Sequence, residues 1–231
     1  MKMLKKHLTL LLALVMMALV VAGCGGAPAK PAAKPEPKPA ASRIDQIKKN
    51  GKLILATGNY RPFEYHDEKT NKIIGYDIDV AEAIAKKIGV PLEIKEMQFT
   101  GLIPSLQNGQ VDLVIAAMYI TPARKEVVDF AEPYMDTGMV LAVRKDNTTI
   151  KSTKDLDGKV VGVKTGATSE KVAQEMKEKG AKIEIKSYKE TVDYLLDLQN
   201  GRLDVAINDL LNQLEYNKAN PNVKIVGEPF T

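Results

Sequence analysis

The chain has 231 residues, 33 basic and 29 acidic side chains, 5% aromatic residues and a single cysteine. One cysteine excludes a disulfide framework, and its two histidines, His7 and His66, form no metal-ligand cluster with other donors. The formal charge of +4 arises at the N-terminus; residues 43–231 hold 27 basic against 28 acidic side chains, which excludes a basic surface of the kind that seeks nucleic acid.

Taken in chain order, Lys2, Lys5 and Lys6 precede an apolar run from Leu8 to Ala22. A bilayer-spanning helix needs roughly 20 apolar residues, so this shorter run, followed by small residues, reads as a secretion signal over 1–23 and is set apart from the fold. Its ending, Val21-Ala22-Gly23-Cys24, resembles the bacterial lipoprotein box, in which the cysteine becomes the lipid-bearing first residue. The other readings are a plain signal with a chance cysteine, or an uncleaved anchor. Residues 24–42 alternate proline, alanine and lysine and offer no core-forming side chain, which predicts an extended, solvated tether. In polyproline II form it would reach on the order of 50 Å. The expectation is an extracytoplasmic domain held to the cell membrane through a lipid anchor on Cys24.

The remaining chain repeats itself. Leu106-Gln107-Asn108-Gly109-Gln110-Val111-Asp112-Leu113 returns as Leu198-Gln199-Asn200-Gly201-Arg202-Leu203-Asp204-Val205. Each copy reads as a helix stopped at Asn-Gly, where glycine accepts a left-handed conformation, followed by a short strand. Upstream, Gly51–Gly58 and Gly158–Gly166 are apolar strand patterns that break at glycine. Between them, Asp77 reads as an N-cap for a helix carrying Val80, Ala81, Ile84, Ala85 and Ile88, ended by Gly89. Thr100 to Pro104 opens the next helix, with Pro104 in its first turn. Ser169–Lys179 and Thr191–Gln199 are the counterparts in the second half. Alternating strands and helices predict an α/β fold of two lobes, 43–140 and 141–231, each a mostly parallel sheet flanked by helices.

Sheets of this kind bind ligands beyond the carboxyl ends of their strands. That rule selects Gly58–Tyr60, Ala116–Thr121, Thr165–Ser169 and Asn208–Asp209, and a cleft between the lobes. Thr121 and Pro122 read as the cap and first residue of a helix with Arg124 in its first turn. Arg124 is either a surface ion-pair partner of Glu126 or Asp129, or a planar fork for a carboxylate at the cleft mouth. Asp209 either caps the helix that follows it or accepts a ligand ammonium. Tyr60, Phe99 and Tyr119 are either cleft aromatics or core packing. Gly162-Val163-Lys164-Thr165-Gly166 lacks the spacing of a phosphate-cradling P-loop and reads as a strand-to-helix turn whose N–H groups suit one small anion. His66, beside Asp67 and Glu68, reads as a solvated loop histidine, and neither a nucleophilic cysteine nor an acid/base pair is evident.

Gly75-Tyr76-Asp77-Ile78-Asp79-Val80 with Ile84-Ala85 resembles the signature of the polar amino-acid-binding proteins of ABC importers. So do Pro62-Phe63-Glu64-Tyr65, Gly101-Leu102-Ile103-Pro104, Ile120–Lys125, Val128-Asp129-Phe130 and Gly227-Glu228-Pro229-Phe230. The resemblance implies the two-lobed type II periplasmic-binding-protein fold and a binding rather than an enzymatic role, without a cofactor or metal. It implies a small zwitterionic ligand, a membrane permease as partner, and a monomer. It places Arg124 on the ligand α-carboxylate, Asp209 on the α-ammonium, and Tyr60 and Phe99 on either face of the ligand side chain. Ala117 and Tyr119 become contacts after a first-lobe strand, Thr168 and Ser169 N–H donors from the second lobe, and Lys164 and Asn208 the selectors of the side chain. The signature around Asp77 is expected to be structural. Position 119 is usually serine or threonine in this family; a tyrosine there is more similar to binders of compatible solutes such as ectoine. Cyclohexadienyl dehydratases resemble the same pattern and supply an enzymatic alternative, and an extracytoplasmic sensor domain a third. The family continues past Gly-Glu-Pro-Phe with a segment that crosses back to the first lobe, and Thr231 falls near that expected second hinge. Glutamine-like neutral polar amino acids are the first expectation for the ligand, basic ones the second and ectoine-like solutes the third.

Overall fold

The computed structural model describes residues 42–230. The expected signal, Cys24 and most of the tether lie outside the described residues. Ser42, assigned above to the tether, belongs to the fold: its hydroxyl accepts the Asp45 N–H and caps α1 (Arg43–Asn50). This helix seats Ile47 against Leu53 and Ala85 and ends at Gly51, whose φ of 74° is the left-handed conformation that favours glycine.

The first half continues with β1 (Leu53–Thr57), the hairpin β2 (Tyr65–His66) and β3 (Ile73–Ile74), α2 (Tyr76–Ile88), β4 (Leu92–Glu96), α3 (Phe99–Gln107), β5 (Leu113–Val114) and the short α4 (Pro122–Lys125). β1 is the centre of a three-stranded parallel sheet of order β4-β1-β5. Its alternate side chains bury two separate cores. Leu55, with Ile115, packs on Ile78 and Ala81 of α2, while Ala56 packs with Leu102 of α3, Val111 and Ala116.

The second half holds β6 (Met139–Arg144), a 3₁₀ turn (Thr153–Asp155), β7 (Val160–Lys164), α5 (Thr168–Glu178), β8 (Glu184–Tyr188), α6 (Thr191–Gln199), β9 (Val205–Asp209), α7 (Leu210–Ala219) and β10 (Val223–Phe230). They form a five-stranded sheet of order β10-β6-β9-β7-β8. The β8-β7-β9 portion is parallel, and β6 runs antiparallel to both β9 and β10. Position 140, the predicted end of the first lobe, lies inside β6, whose residues from Met139 onward pair within this second sheet.

The internal repeat is built into the hydrogen bonding. The parallel order β4-β1-β5 recurs as β8-β7-β9. The aspartates of the two Asn-Gly motifs make equivalent bonds: Asp112 accepts the Ile54 N–H at 3.0 Å and Asp204 accepts the Val160 N–H at 2.8 Å, each tying a loop to the start of a central strand.

Two expectations about helices are corrected. The N-cap position of α2 is Gly75, and Asp77 is a buried first-turn residue that does not cap the helix. α3 starts earlier than its pattern suggests, at Phe99, so Pro104 is not in the first turn; lacking an N–H, it leaves the Thr100 carbonyl without a helical donor. His66 lies on a hairpin strand and not in a free loop, and its Nε2 pairs with the Glu96 carboxylate at 2.6 Å.

Candidate functional site

Four loops leave the carboxyl ends of β1, β5, β7 and β9 and meet. The loop after β1 closes on itself. The Tyr60 N–H donates to the Glu64 carbonyl at 2.5 Å, the Glu64 N–H returns to the Tyr60 carbonyl at 3.1 Å, and the Tyr60 and Phe63 rings stack at 6.0 Å. This turn caps α2 with its backbone: the Tyr76 and Asp77 N–H groups donate to the Pro62 and Phe63 carbonyls at 3.3 and 2.9 Å. Gly75 permits that approach, because a Cβ there would overlap the Phe63 carbonyl and its φ is 131°. A backbone cap leaves the Asp77 side chain free to turn inward.

After β5, Ala116–Thr121 runs along the cavity floor. Ala117 has φ 46°, a left-handed conformation unusual for alanine. Thr121 accepts the Arg124 N–H at 3.3 Å and Pro122 takes the first helical position, as the sequence predicts. The Arg124 guanidinium then reaches across the halves. Nη1 donates to the Tyr119 carbonyl at 2.7 Å, Nη2 to the Gly166 carbonyl at 3.2 Å, and its carbon lies 5.3 Å from the Phe99 ring centre. These partners replace the Glu126 or Asp129 ion pair that was one reading of its position. Burial draws its pKa down, but from a value so high that arginine remains a cation.

In the turn after β7, the N–H groups of Thr165, Gly166 and Ala167 are already committed, to Tyr188, Glu170 and Lys164. The anion donors left in this turn are the first N–H groups of α5, at Thr168 and Ser169, which have no partner within the helix. The Ser169 hydroxyl accepts the Lys164 N–H at 3.1 Å. Lys164, at the end of β7, is 7% exposed, and its ammonium lies 5.1 Å from the Tyr60 ring centre and 5.4 Å from that of Phe99. Burial lowers its pKa, with Glu190 and Glu64 opposing the shift.

At the end of β9, Asn208 is fully used. Its Oδ1 accepts the Tyr60 and Tyr194 hydroxyls, each at 2.8 Å, and its Nδ2 donates to Asn212 and Gln213 at 2.8 and 3.0 Å. Asp209 does cap α7, with Oδ1 accepting the Leu211 and Asn212 N–H groups at 2.9 and 3.2 Å. Its other oxygen faces the cavity and accepts the Tyr119 and Thr137 hydroxyls at 2.7 and 3.1 Å. Burial, and then Asp209, push the Tyr119 hydroxyl well above its ordinary pKa, so it stays a donor.

Tyr60, Phe99, Ala117, Tyr119, Lys164, Thr168, Ser169, Asn208 and Asp209 thus line one small cavity that opens to solvent. Arg124 is not on its wall and stands behind Phe99 and Tyr119. Ala116, Met139, Ala167 and Tyr194 complete the lining. Sequence reasoning missed Tyr194, although a signal exists: the repeat that equates Leu106 with Leu198 also equates Leu102 with Tyr194, and a hydroxyl-bearing ring where its twin has a core leucine asks for a polar partner. No such signal marks Thr137.

A cation bonded to the Tyr119 carbonyl, a carboxylate bonded to the Tyr119 hydroxyl and a slot between aromatic rings suit a small dipolar solute. With two α/β units meeting at their strand ends, they define a two-lobed solute-binding protein of the type II periplasmic class. Residues 53–169 match the bacterial extracellular solute-binding proteins, family 3, and the chain belongs to that family. It is 37% identical over 180 residues to the probable amino-acid-binding protein YxeM of Bacillus subtilis (strain 168), a match covering 77% of this chain and 66% of that protein. The chain spans about two thirds of the length of the first curated relatives it matches. An ancestral arginine-binding protein bound to arginine is 44% identical, with a TM-score of 0.75 over 78% of this chain and 80% of that one. The ancestral amino acid-binding protein AncCDT-1, a precursor of cyclohexadienyl dehydratase, is 37% identical, with a TM-score of 0.76 over 82% of each chain.

Among the described residues, no helix is long and apolar enough to cross a membrane, and no group of His, Cys, Asp and Glu could hold a metal ion.

Proposed function

We propose that this protein captures a polar amino acid outside the cytoplasm and delivers it to an ABC importer, as a monomer anchored to the membrane by lipid on Cys24. The observation that carries the reading is the placement of Arg124 and Asp209 at opposite ends of Tyr119, beside one cavity. Arg124 turns its fork from the Tyr119 and Gly166 carbonyls to the ligand α-carboxylate, and Asp209 takes the α-ammonium on the oxygen that faces the cavity. Tyr60 and Phe99 hold the side chain between their rings, and Thr168 and Ser169 add N–H donors. The lobes, joined through the segment that leads into β6, close over the ligand and exclude water. Hydrogen bonds to charged groups contribute roughly 1.5–3 kcal/mol each, so micromolar affinity, about −8 kcal/mol, needs only a few of them.

The side chain is selected at Lys164. Its ammonium already lies near the two rings, so it favours a terminal carbonyl, as in glutamine, and disfavours a second cation. Binding without turnover is the expected role, since the one carboxylate at the cavity floor is engaged by four donors. The four aromatic rings on the wall, Tyr60, Phe99, Tyr119 and Tyr194, favour a compatible solute as the second reading.

The test is a thermal-shift screen of the mature protein against amino acids and ectoine, followed by calorimetry on wild type and Arg124→Ala. A ligand raises the melting temperature by mass action, and Arg124→Ala is expected to weaken its binding at least 100-fold. Unchanged binding removes Arg124 from the site, and turnover of prephenate or arogenate replaces the transport reading with an enzymatic one.

A further inference from the structure

We propose that Glu64 and Asp77 share one proton, and that this buried pair is the positioning device for the ligand-facing peptide at Ala117. The inference rests on the cavity being the ligand site, and it concerns residues that do not line it.

The geometry begins at the strained backbone. A left-handed alanine costs about 1–2 kcal/mol, so something must hold Ala117 there. Its N–H donates to Asp77 Oδ2 at 2.6 Å, while the Tyr134 hydroxyl donates to both Asp77 oxygens at 3.0 and 3.1 Å. Asp77 is fully buried, on the first turn of α2, where the helix dipole favours a negative charge. A second carboxyl, Glu64, is 1% exposed, and the fold brings it beside Asp77, whose N–H donates to the carbonyl of Phe63, the residue before Glu64, at 2.9 Å. Glu64 Oε2 has no donor from any N–H or hydroxyl group. Two buried carboxylates in contact repel each other; a carboxyl facing a carboxylate attracts when one carries a proton. The unpartnered Glu64 oxygen is therefore the place for that proton, donated to Asp77. Burial first, and then the Asp77 charge, raise the Glu64 pKa to about 10, against an opposing influence from Lys164. Asp77 and Lys164, from α2 and β7, are the charged groups that face it.

The pair also joins two walls of the cavity. Glu64 closes the turn that carries Tyr60, and Asp77 holds the loop that carries Ala117 and Tyr119. The shared proton locks one ligand-bearing loop to the other.

The experiment compares wild type, Glu64→Gln, Glu64→Leu and Asp77→Ala by the amide NMR resonance of Ala117 and by calorimetry with L-glutamine. Glu64→Gln supplies a permanent donor to Asp77. It should keep the downfield Ala117 amide resonance and hold affinity within threefold, and it should remove the shift that wild type shows as pH rises through about 10. Glu64→Leu and Asp77→Ala should lose the downfield resonance and at least tenfold in affinity. Equal damage from Glu64→Gln and Glu64→Leu, or an Ala117 resonance indifferent to Asp77→Ala, overturns the inference. If Asp77→Ala does not fold, the two Glu64 variants still decide. If wild type binds no amino acid, the function proposed above fails, and the resonance still decides the positioning.

Discussion

If the site works as proposed, replacing Lys164 by methionine should convert a site expected to reject cationic side chains into one that accepts them. The ammonium lies 5.1 and 5.4 Å from the two ring centres, so a ligand guanidinium between the rings would come within about 5 Å of it. At that separation and an effective dielectric of about 20, like charges repel by about 3 kcal/mol, on the order of 100-fold in Kd. Lys164→Met removes the repulsion and leaves the rings free to engage a cation. L-Arginine should therefore bind about 100-fold more tightly to the variant than to wild type, while L-glutamine loses a charge-assisted bond of roughly 1.5–3 kcal/mol. Burial holds the Lys164 pKa below the usual lysine value, so the discrimination of wild type should fade as pH rises, earlier than for a solvated lysine. Calorimetry with both amino acids at two pH values measures all of this. Unchanged arginine affinity in Lys164→Met would refute the reasoning, because it would place the ligand side chain away from the rings.

Two further outcomes follow from packing and charge. Gly162→Ala should destabilise the fold by about 1–3 kcal/mol, because a Cβ there would overlap Leu203 Cδ1 and lie 3.2 Å from Tyr194 Cβ; urea unfolding with an unchanged midpoint would show that β7 and α6 yield easily. The hydrogen bond that His66 donates to Glu96 raises the His66 pKa, so His66 contributes stability that is fully present below its unfolded value of about 6.5 and is lost as pH climbs through the higher folded value. A His66→Gln variant should flatten that slope in melting temperature between pH 6 and pH 8, and a slope unaltered by the substitution would assign it to other groups.

Much of this architecture is legible because local rules and burial agree. Gly89 and the two Asn-Gly stops end their helices where the sequence places them, and Thr121-Pro122 starts one. The strands of the repeat carry continuous apolar runs that only a covered sheet can use. What escaped is nonlocal. Asp77 in a first turn fits the pattern of a cap, and the backbone of the Pro62-Phe63 turn, which takes the cap's place, belongs to a different segment. The direction of β6 is invisible because Val140 to Val143 are all buried and carry no alternation. Glu64 gave no hint of its burial, since the proton that makes the burial tolerable depends on a carboxyl thirteen positions away. For Arg124 the sequence left a surface ion pair and an inward fork both open; its bonds to the Tyr119 and Gly166 carbonyls, behind the cavity wall, depend on contacts distant in the chain.

The repeat has a consequence for handedness. Two units of like topology present unlike groups at matching loops: a guanidinium beside one, a carboxylate on the other, and a pair of rings with an ammonium over both. Three unlike anchors out of line cannot all be met by both mirror forms of a solute. On the function proposed above, a symmetric scaffold would thereby become a chiral reader, telling an L-amino acid from its D-enantiomer by which substituent is left without a place.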